Sequence, residues 1–270
     1  MGLAPVLTIA GSDCSGGAGI QADLKAFTAI GVYGMSVITA LTAQNTYGVS
    51  SIYPLPLDFV EAQLEAIFTD IPPISIKTGM LASAELIEGI RNFLERKARH
   101  IPLIVDPVMV AASGDRLLSK GAEETLRAFA AQAYLVTPNL PEAALLAGTE
   151  IPTTEKDFFA LGAQLSSLFP APYWLLKGGH ASWESRTVTS LLFKEGRLIQ
   201  RFVQPRLSLP RPPHGTGCTL ASAIAAFTAR GASIVEAVLY GLDFVHKALS
   251  HADLNLGGAA TVLNPNACRI

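Results

Sequence analysis

The chain has 270 residues, half of them hydrophobic and 16% charged, with a formal net charge of −2. That supplies the core of one large α/β domain spanning 1–270, and the near-neutral charge, with no Lys/Arg run, argues against a nucleic-acid partner. No apolar stretch reaches the ~20 residues of a membrane span, and Cys14, Cys218 and Cys268, odd in number and without a CxxC pair, suggest neither a zinc site nor a disulfide framework.

The N-terminus reads straight into a strand, with no charged leader, so a reducing cytoplasm is expected. Val6 to Ala10 predicts that strand, followed by a glycine-rich loop from Gly11 to Gly19 and a helix from Ile20 to Ile30. Strand, glycine-rich loop and helix can hold a ligand at the carboxyl edge of a sheet. The loop is no Walker A sequence, because Gly17-Ala18 stand where Lys and Ser/Thr belong. It is a poor dinucleotide fingerprint as well, for no acidic residue follows a second strand about 20 residues on. A purely structural turn stays open. Asp23, in the following helix, reads on its own as a solvated carboxylate.

Met35 to Thr42 predicts a strand that leads to Gln44, either a loop amide or an amide that reads a ligand. A helix over Leu57–Thr69 follows, then a strand, Ile74 to Lys77, leading to Met80, which alone reads as core filler. Glu85 to Arg99 is an amphipathic helix. Pro102 to Val105 is a buried strand ending in Asp106-Pro107-Val108. A carboxylate at the end of such a strand is costly unless paired or bound to a cation, so Asp106 is a candidate functional group.

Tyr134 to Val136 repeats the pattern. Asn139 and Glu142 follow, three apart at a helix start, where they can share a face; a first-turn Glu142 also suits the helix dipole. Trp174 to Leu176 ends in Lys177-Gly178-Gly179-His180, with Lys177 facing a phosphate or solvent. Thr187–Phe193 and Arg197–Val203 read as a hairpin of antiparallel edge strands. Proline-rich Leu207–Pro213 then leads to His214-Gly215-Thr216-Gly217-Cys218-Thr219-Leu220-Ala221. Gly215 and Gly217 open a helix, whose first amides and dipole favour an anion. The thiol pKa of Cys218 is expected to fall there. A glycine-rich N-cap over a buried cysteine fits the same residues. Helices over Leu220–Arg230 and Ile234–Ser250 follow, and the tail from Asn255 shows little pattern.

Gly11, Gln44, Met80, Asp106, Asn139 and Lys177 each follow a predicted strand. Parallel strands would bring them to one edge, where open α/β sheets bind ligands. An acid, an amide–carboxylate pair, a lysine and a glycine-capped helix suit phosphoryl transfer.

These blocks, in this order, resemble the ribokinase-like superfamily, and within it the hydroxymethylpyrimidine/phosphomethylpyrimidine kinases of thiamine biosynthesis. The likeness is carried by Ala10-Gly11-Ser12-Asp13, Ser15 to Lys25, Thr39 to Thr46, Lys77 to Leu81, Asp106 to Val110, Thr137-Pro138-Asn139 with Glu142, Lys177 to His180, and the glycine turn at His214. It covers Val6 to about Leu249. It implies a ribokinase-like, mostly parallel central sheet flanked by helices, with a small β lid, and a homodimer. The implied activity is ATP-dependent phosphorylation of 4-amino-5-hydroxymethyl-2-methylpyrimidine and then of its monophosphate. By matching positions, Gly11, Asp23, Gln44, Met80 and Val108 line the aminopyrimidine pocket. Asp106 and Glu142 serve Mg²⁺, Asn139 and Lys177 meet the nucleotide phosphates, Gly215, Thr216 and Gly217 form the anion hole, and Cys218 is the base. Two places depart from the pattern: Leu207–Pro213 replaces a polar run, and Ala112 replaces a longer residue. Pro212 and Pro213 remove two amide donors, which bears on the second phosphorylation. A pyridoxal/pyridoxine kinase and a non-catalytic pyrimidine-binding paralogue are the alternatives.

Overall fold

A computed structural model describes residues 2–110, 117–119 and 121–269; Ala112 lies outside them. The elements run β1 (Pro5–Asp13), α1 (Gly19–Ile30), β2 (Tyr33–Asn45), β3 (Gly48–Pro54), α2 (Leu57–Asp70), β4 (Ser75–Thr78), α3 (Ala84–Lys97), β5 (Leu103–Val105) and α4 (Glu123–Ala130). They continue with β6 (Leu135–Val136), α5 (Leu140–Ala147), α6 (Glu155–Leu168), β7 (Tyr173–Lys177), β8 (Thr187–Lys194), β9 (Arg197–Pro205), β10 (Pro213–His214), α7 (Thr216–Ala229), α8 (Ile234–Ser250) and β11 (Thr261–Val262).

Nine strands form one sheet in the order β3-β2-β1-β4-β5-β6-β7-β8-β9. The six from β2 to β7 in that order are mutually parallel, and the antiparallel β3 and β8–β9 close the two sides. The alternating side chains of a strand point to opposite faces, so each central strand serves two cores. Leu7, Ile9, Val105, Val136, Trp174 and Leu176 join the core under α2 to α6. Val6, Ile104, Leu135 and Leu175 join that under α1, α7 and α8. Burial on both faces is why these strands read as apolar runs rather than alternating ones.

Helix ends follow local chemistry. Asn139 and Ser233 cap α5 and α8, each in a reciprocal capping box with the glutamate three residues on. Gly31 and Gly148 end α1 and α5 in the left-handed region. The fold agrees with the ribokinase-like expectation, and the hairpin read at Thr187 forms as β8–β9. The glycine turn proves to be helix already: α7 starts at Thr216, four residues before the predicted Leu220. The tail holds more than its sequence suggested. Thr261 in β11 donates its amide to the Pro212 carbonyl at 2.9 Å, a bond that needs no amide hydrogen from the proline. No helix among the described residues is long and apolar enough to cross a membrane.

Candidate active site

The carboxyl ends of β1, β2, β4, β5, β6 and β7 share one rim, and the candidate residues meet on it. Asp106 follows β5, and its amide donates to Thr78 O at 3.0 Å, extending the ladder by one bond. That leaves its carboxylate 2% exposed. Oδ1 accepts from Lys177 Nζ at 2.9 Å and from Thr137 Oγ1 at 3.1 Å. The buried acid is therefore paired, as its cost requires. Burial works against the charge of Lys177, but Asp106 and Glu142 outweigh it and hold the ammonium above its ordinary value.

Glu142 stands in the first turn of α5. Its Oε2 accepts from Asn139 N at 2.8 Å, while Asn139 Oδ1 accepts from Glu142 N at 2.9 Å. Burial pushes its carboxyl up to about 7, and Asp106 adds to the shift against the pull of Lys177. Two buried carboxylates thus share one lysine, and the pocket holds more negative charge than Lys177 neutralises.

The late glycine turn faces this group. A methyl on Gly217 would lie 3.2 Å from Lys177 Nζ and 3.5 Å from Asp106 Oδ2. The acid and the turn therefore lie on the same side of the sheet. Gly215 has φ +80° and caps α7 with no side-chain hydrogen bond to its first turn. A methyl there would collide with the Gly17 carbonyl oxygen, so the early and late glycine loops press together. With no side chain covering the helix start, the first amides of α7 suit an anion, which favours the phosphate cradle over a closed N-cap.

Cys218 overturns one expectation. Its thiol is pushed up to about 11, not down. Burial is the largest cause, and Asp23 and Asp106 add to it. Lys77 and the Gly19 amide pull the other way and lose. The usual lowering at a helix start presumes free solvation and unopposed positive charge; Cys218 is only partly exposed, and Asp23 and Asp106 oppose the lysine.

Asp23 is the second correction. It is fully buried and accepts from Thr8 Oγ1 at 2.6 Å, Lys77 Nζ at 2.8 Å and Ser222 Oγ at 2.7 Å. It lines no pocket. It sits below the floor as the anchor of an ion pair, and is not a solvated helix carboxylate either. Met80 is nearly buried and belongs to the core, with its sulfur set against the small Gly11. Val108 is half-buried beside Asp106, and Gln44 is half-buried at the end of β2.

Reading by sequence missed four members of the site. His214 and Asp13 join the two glycine loops, Nε2 to Oδ2 at 3.1 Å. Thr137 supports Asp106, and Lys77 pairs with Asp23. Asp13 and Lys77 bore the signal that singled out Asp106, a charge at the end of an apolar run. Two clefts lie elsewhere, of about 640 Å³ beside α7 and α8 and about 720 Å³ between β3, α2 and α3. Neither is lined by a residue of the rim, and chemistry marks the site better than volume. Among the described residues, no three His, Cys, Asp or Glu side chains cluster as a self-sufficient metal site.

Residues 13–264 match the family model described as phosphomethylpyrimidine kinase. Hydroxymethylpyrimidine/phosphomethylpyrimidine kinase of Salmonella typhimurium is 46% identical over 249 residues, covering 92% of this chain and 91% of that protein. Among solved structures, phosphomethylpyrimidine kinase of Clostridium difficile is 42% identical with a TM-score of 0.77, covering 91% of this chain and 99% of that one. Pyridoxal kinase of Staphylococcus aureus, in complex with AMP-PCP and pyridoxal, is 32% identical with a TM-score of 0.87, covering 99% of this chain and 95% of that one.

Proposed function

The chain belongs to the phosphomethylpyrimidine kinase family, and we propose that it phosphorylates 4-amino-5-hydroxymethyl-2-methylpyrimidine with ATP and then converts the monophosphate to the diphosphate, for thiamine biosynthesis. One observation carries the reading. The uncapped glycine turn of α7 faces the Asp106–Lys177 pair across Gly217, whose missing side chain leaves room between them.

Each residue then has a task. The substrate hydroxyl oxygen attacks the γ-phosphorus, the bond from that phosphorus to the bridging oxygen breaks, and ADP leaves. Charge moves onto the transferred group, and the amides of Gly215, Thr216 and Gly217 lie where helix-start donors stabilise it. Lys177 exchanges part of its hold on Asp106 for the nucleotide phosphates, with Asn139 beside it. Gly11, Gln44, Met80 and Val108 form the wall for the pyrimidine. Cys218 takes the hydroxyl proton as the phosphoryl group arrives.

Mg²⁺ fits the pocket: Asp106 and Glu142 set two carboxyl groups against one lysine, and burial keeps Glu142 from ionising readily in the free protein, a cost that a bound cation would offset. Asp106 and Glu142 would hold the ion, and a site of one or two carboxylates completed by substrate phosphates is how this ion is usually bound. Its chemistry there would be to neutralise phosphate charge. Exposed Tyr33, Leu41 and Tyr53 on β2 and β3, with Tyr47 in the turn between them, support a homodimer through the small hairpin lid of a single-domain cytoplasmic enzyme.

Product mass spectrometry with Mg-ATP tests the assignment on three acceptors: the aminopyrimidine alcohol, its monophosphate and pyridoxal. We expect phosphate gain on the first two. Turnover of pyridoxal alone would install the pyridoxal kinase reading, and turnover of none would leave a non-catalytic pyrimidine binder. The 46% identity to a pyrimidine kinase, against 32% to a pyridoxal kinase, favours the first result.

A further inference from the structure

The Gln44 amide lies between two neighbours whose hydrogens can be counted. Thr42 Oγ1 is 3.1 Å from its Oε1, and His214 Nε2 is 3.5 Å from its Nε2. A threonine hydroxyl has one hydrogen. The Ser12 carbonyl, 2.9 Å from Thr42 Oγ1, can only accept, so it takes that hydrogen. Thr42 is left with lone pairs to offer Gln44.

On the other side, His214 Nε2 is also 3.1 Å from Asp13 Oδ2. Burial raises the Asp13 carboxyl, but bonds from His214, Ser15 and Ala18 overcome it and lower the carboxyl to about 2. Asp13 is therefore a carboxylate, which accepts only, and His214 Nε2 must carry the hydrogen. With its oxygen toward Thr42 and its nitrogen toward His214, the amide would set lone pair against lone pair and donor against donor. Turning the amide over removes both clashes: its NH₂ donates to Thr42 Oγ1, and its oxygen faces the single Nε2 hydrogen that Asp13 already accepts, a shared contact at 3.5 Å. The two ends are nearly isosteric, so the bonding partners decide which way it lies.

We propose that Asp13, His214 and Thr42 are positioning residues that pin the Gln44 amide with its oxygen toward the imidazole and its NH₂ toward the hydroxyl. The outer lone pair and the outer N–H are then used. The inner edge, one acceptor beside one donor, is left for the substrate. That is the edge by which glutamine reads the amine and ring nitrogen of adenine. It suits a ring that offers an amino group next to an unprotonated nitrogen, and it opposes one that offers a carbonyl next to N–H. The pin thus selects the 4-amino over the 4-oxo pyrimidine, and this inference rests on the aminopyrimidine reading above.

Two measurements test it. In ¹⁵N-histidine NMR of the folded protein at pH 8, His214 should carry its hydrogen on Nε2; a hydrogen on Nδ1 alone would overturn the pin whatever the substrate. The second compares kcat/KM for the 4-amino ring and its 4-oxo analogue in wild type, His214→Phe and Thr42→Val. A bidentate edge discriminates about ten- to a hundredfold, so the preference should drop by about tenfold or more in each variant, mainly through KM. Equal losses on both rings would mean that these residues merely support the fold, and would sink the proposal while leaving the kinase reading intact. If wild type turned over neither ring, the kinase reading would fail, and the NMR result would still decide the pin. Should His214→Phe not fold, Asp13→Asn replaces it, because it keeps the shape and removes the demand for an Nε2 hydrogen.

Discussion

A thiol at a helix start beside a lysine is expected to ionise easily, yet Cys218 stands at about 11. At pH 7 that leaves about one thiolate in 10⁴, and a general base is worth about 10²–10⁴-fold, so the penalty would consume the gain. The thiol must therefore fall when ligands bind. Neutralising Asp106 removes one of the groups that raise it. Iodoacetamide rates against pH should place Cys218 near 11 in the free protein and lower with Mg²⁺ and a non-hydrolysable nucleotide; an unmoved profile, or near-normal kcat in Cys218→Ser, would remove Cys218 as the base. Glu142 gives a second prediction. Its carboxyl lies near 7 when folded, against an ordinary 4.5. The unfolded chain ionises first, so stability falls as pH rises from about 4.5 through 7. Glu142→Gln keeps an acceptor for the cap, and should melt higher than wild type at pH 8, by of order 1–3 kcal/mol in stability, while losing most of its kcat. A lower melting temperature at pH 8 would refute the shift. Asp106 could be picked out from sequence because a charge ended an apolar strand. Asp23 could not be read correctly, since its partners Lys77 and Ser222 lie 54 and 199 residues away.

Elements were legible where periodicity was strong. The helices at Leu57, Glu85 and Ile234 stand within two residues of expectation, and the buried central strands within three, β1 and β2 each running three residues further than expected. The polar edge strand β3 and the short helix α4 carried too weak a pattern to be singled out, and α6 was passed over as well. The start of α7 was displaced because glycines read as a turn, while the backbone there is already helical. Two glycines of that turn should part company under substitution. Gly215→Ala meets both a left-handed φ of +80° and the Gly17 carbonyl, and should cost ~3 kcal/mol or more, since strain and collision add. A methyl on Gly217 has only the end of the Lys177 side chain in its way. Gly217→Ala should unfold within about 1 kcal/mol of wild type yet lose about 10²-fold or more in kcat/KM, the loss expected when one oxyanion donor is displaced. Urea denaturation set beside steady-state kinetics separates the two, and a Gly217→Ala enzyme with normal kcat/KM would remove this turn from phosphoryl binding.

At the scale of the whole molecule, the sheet divides two apolar cores, and one charged cluster is buried on the face that carries α1, α7 and α8. Lys77 leaves β4 at 0% exposure and meets Asp23 of α1, which also holds Thr8 of β1 and Ser222 of α7. Ser222 is one turn beyond Cys218, so the pair ties the catalytic helix to the sheet and to α1. Removing one partner strands a buried charge and should cost ~3–5 kcal/mol, whereas removing both can be far less harmful. Asp23→Asn and Lys77→Met should each lower the urea midpoint sharply, and the double variant should recover at least about half of the summed loss. If the pair served stability alone, the recovered double variant would also recover kcat. We expect it not to: Lys77 draws the Cys218 thiol down by more than Asp23 pushes it up, so without the pair the thiol rises further. Alkylation of Cys218 in the double variant should accordingly be slower at pH 9 than in wild type, in a protein that melts cooperatively. Equal alkylation rates, or additive stability losses, would show that the cluster is neither coupled nor directed at the reaction.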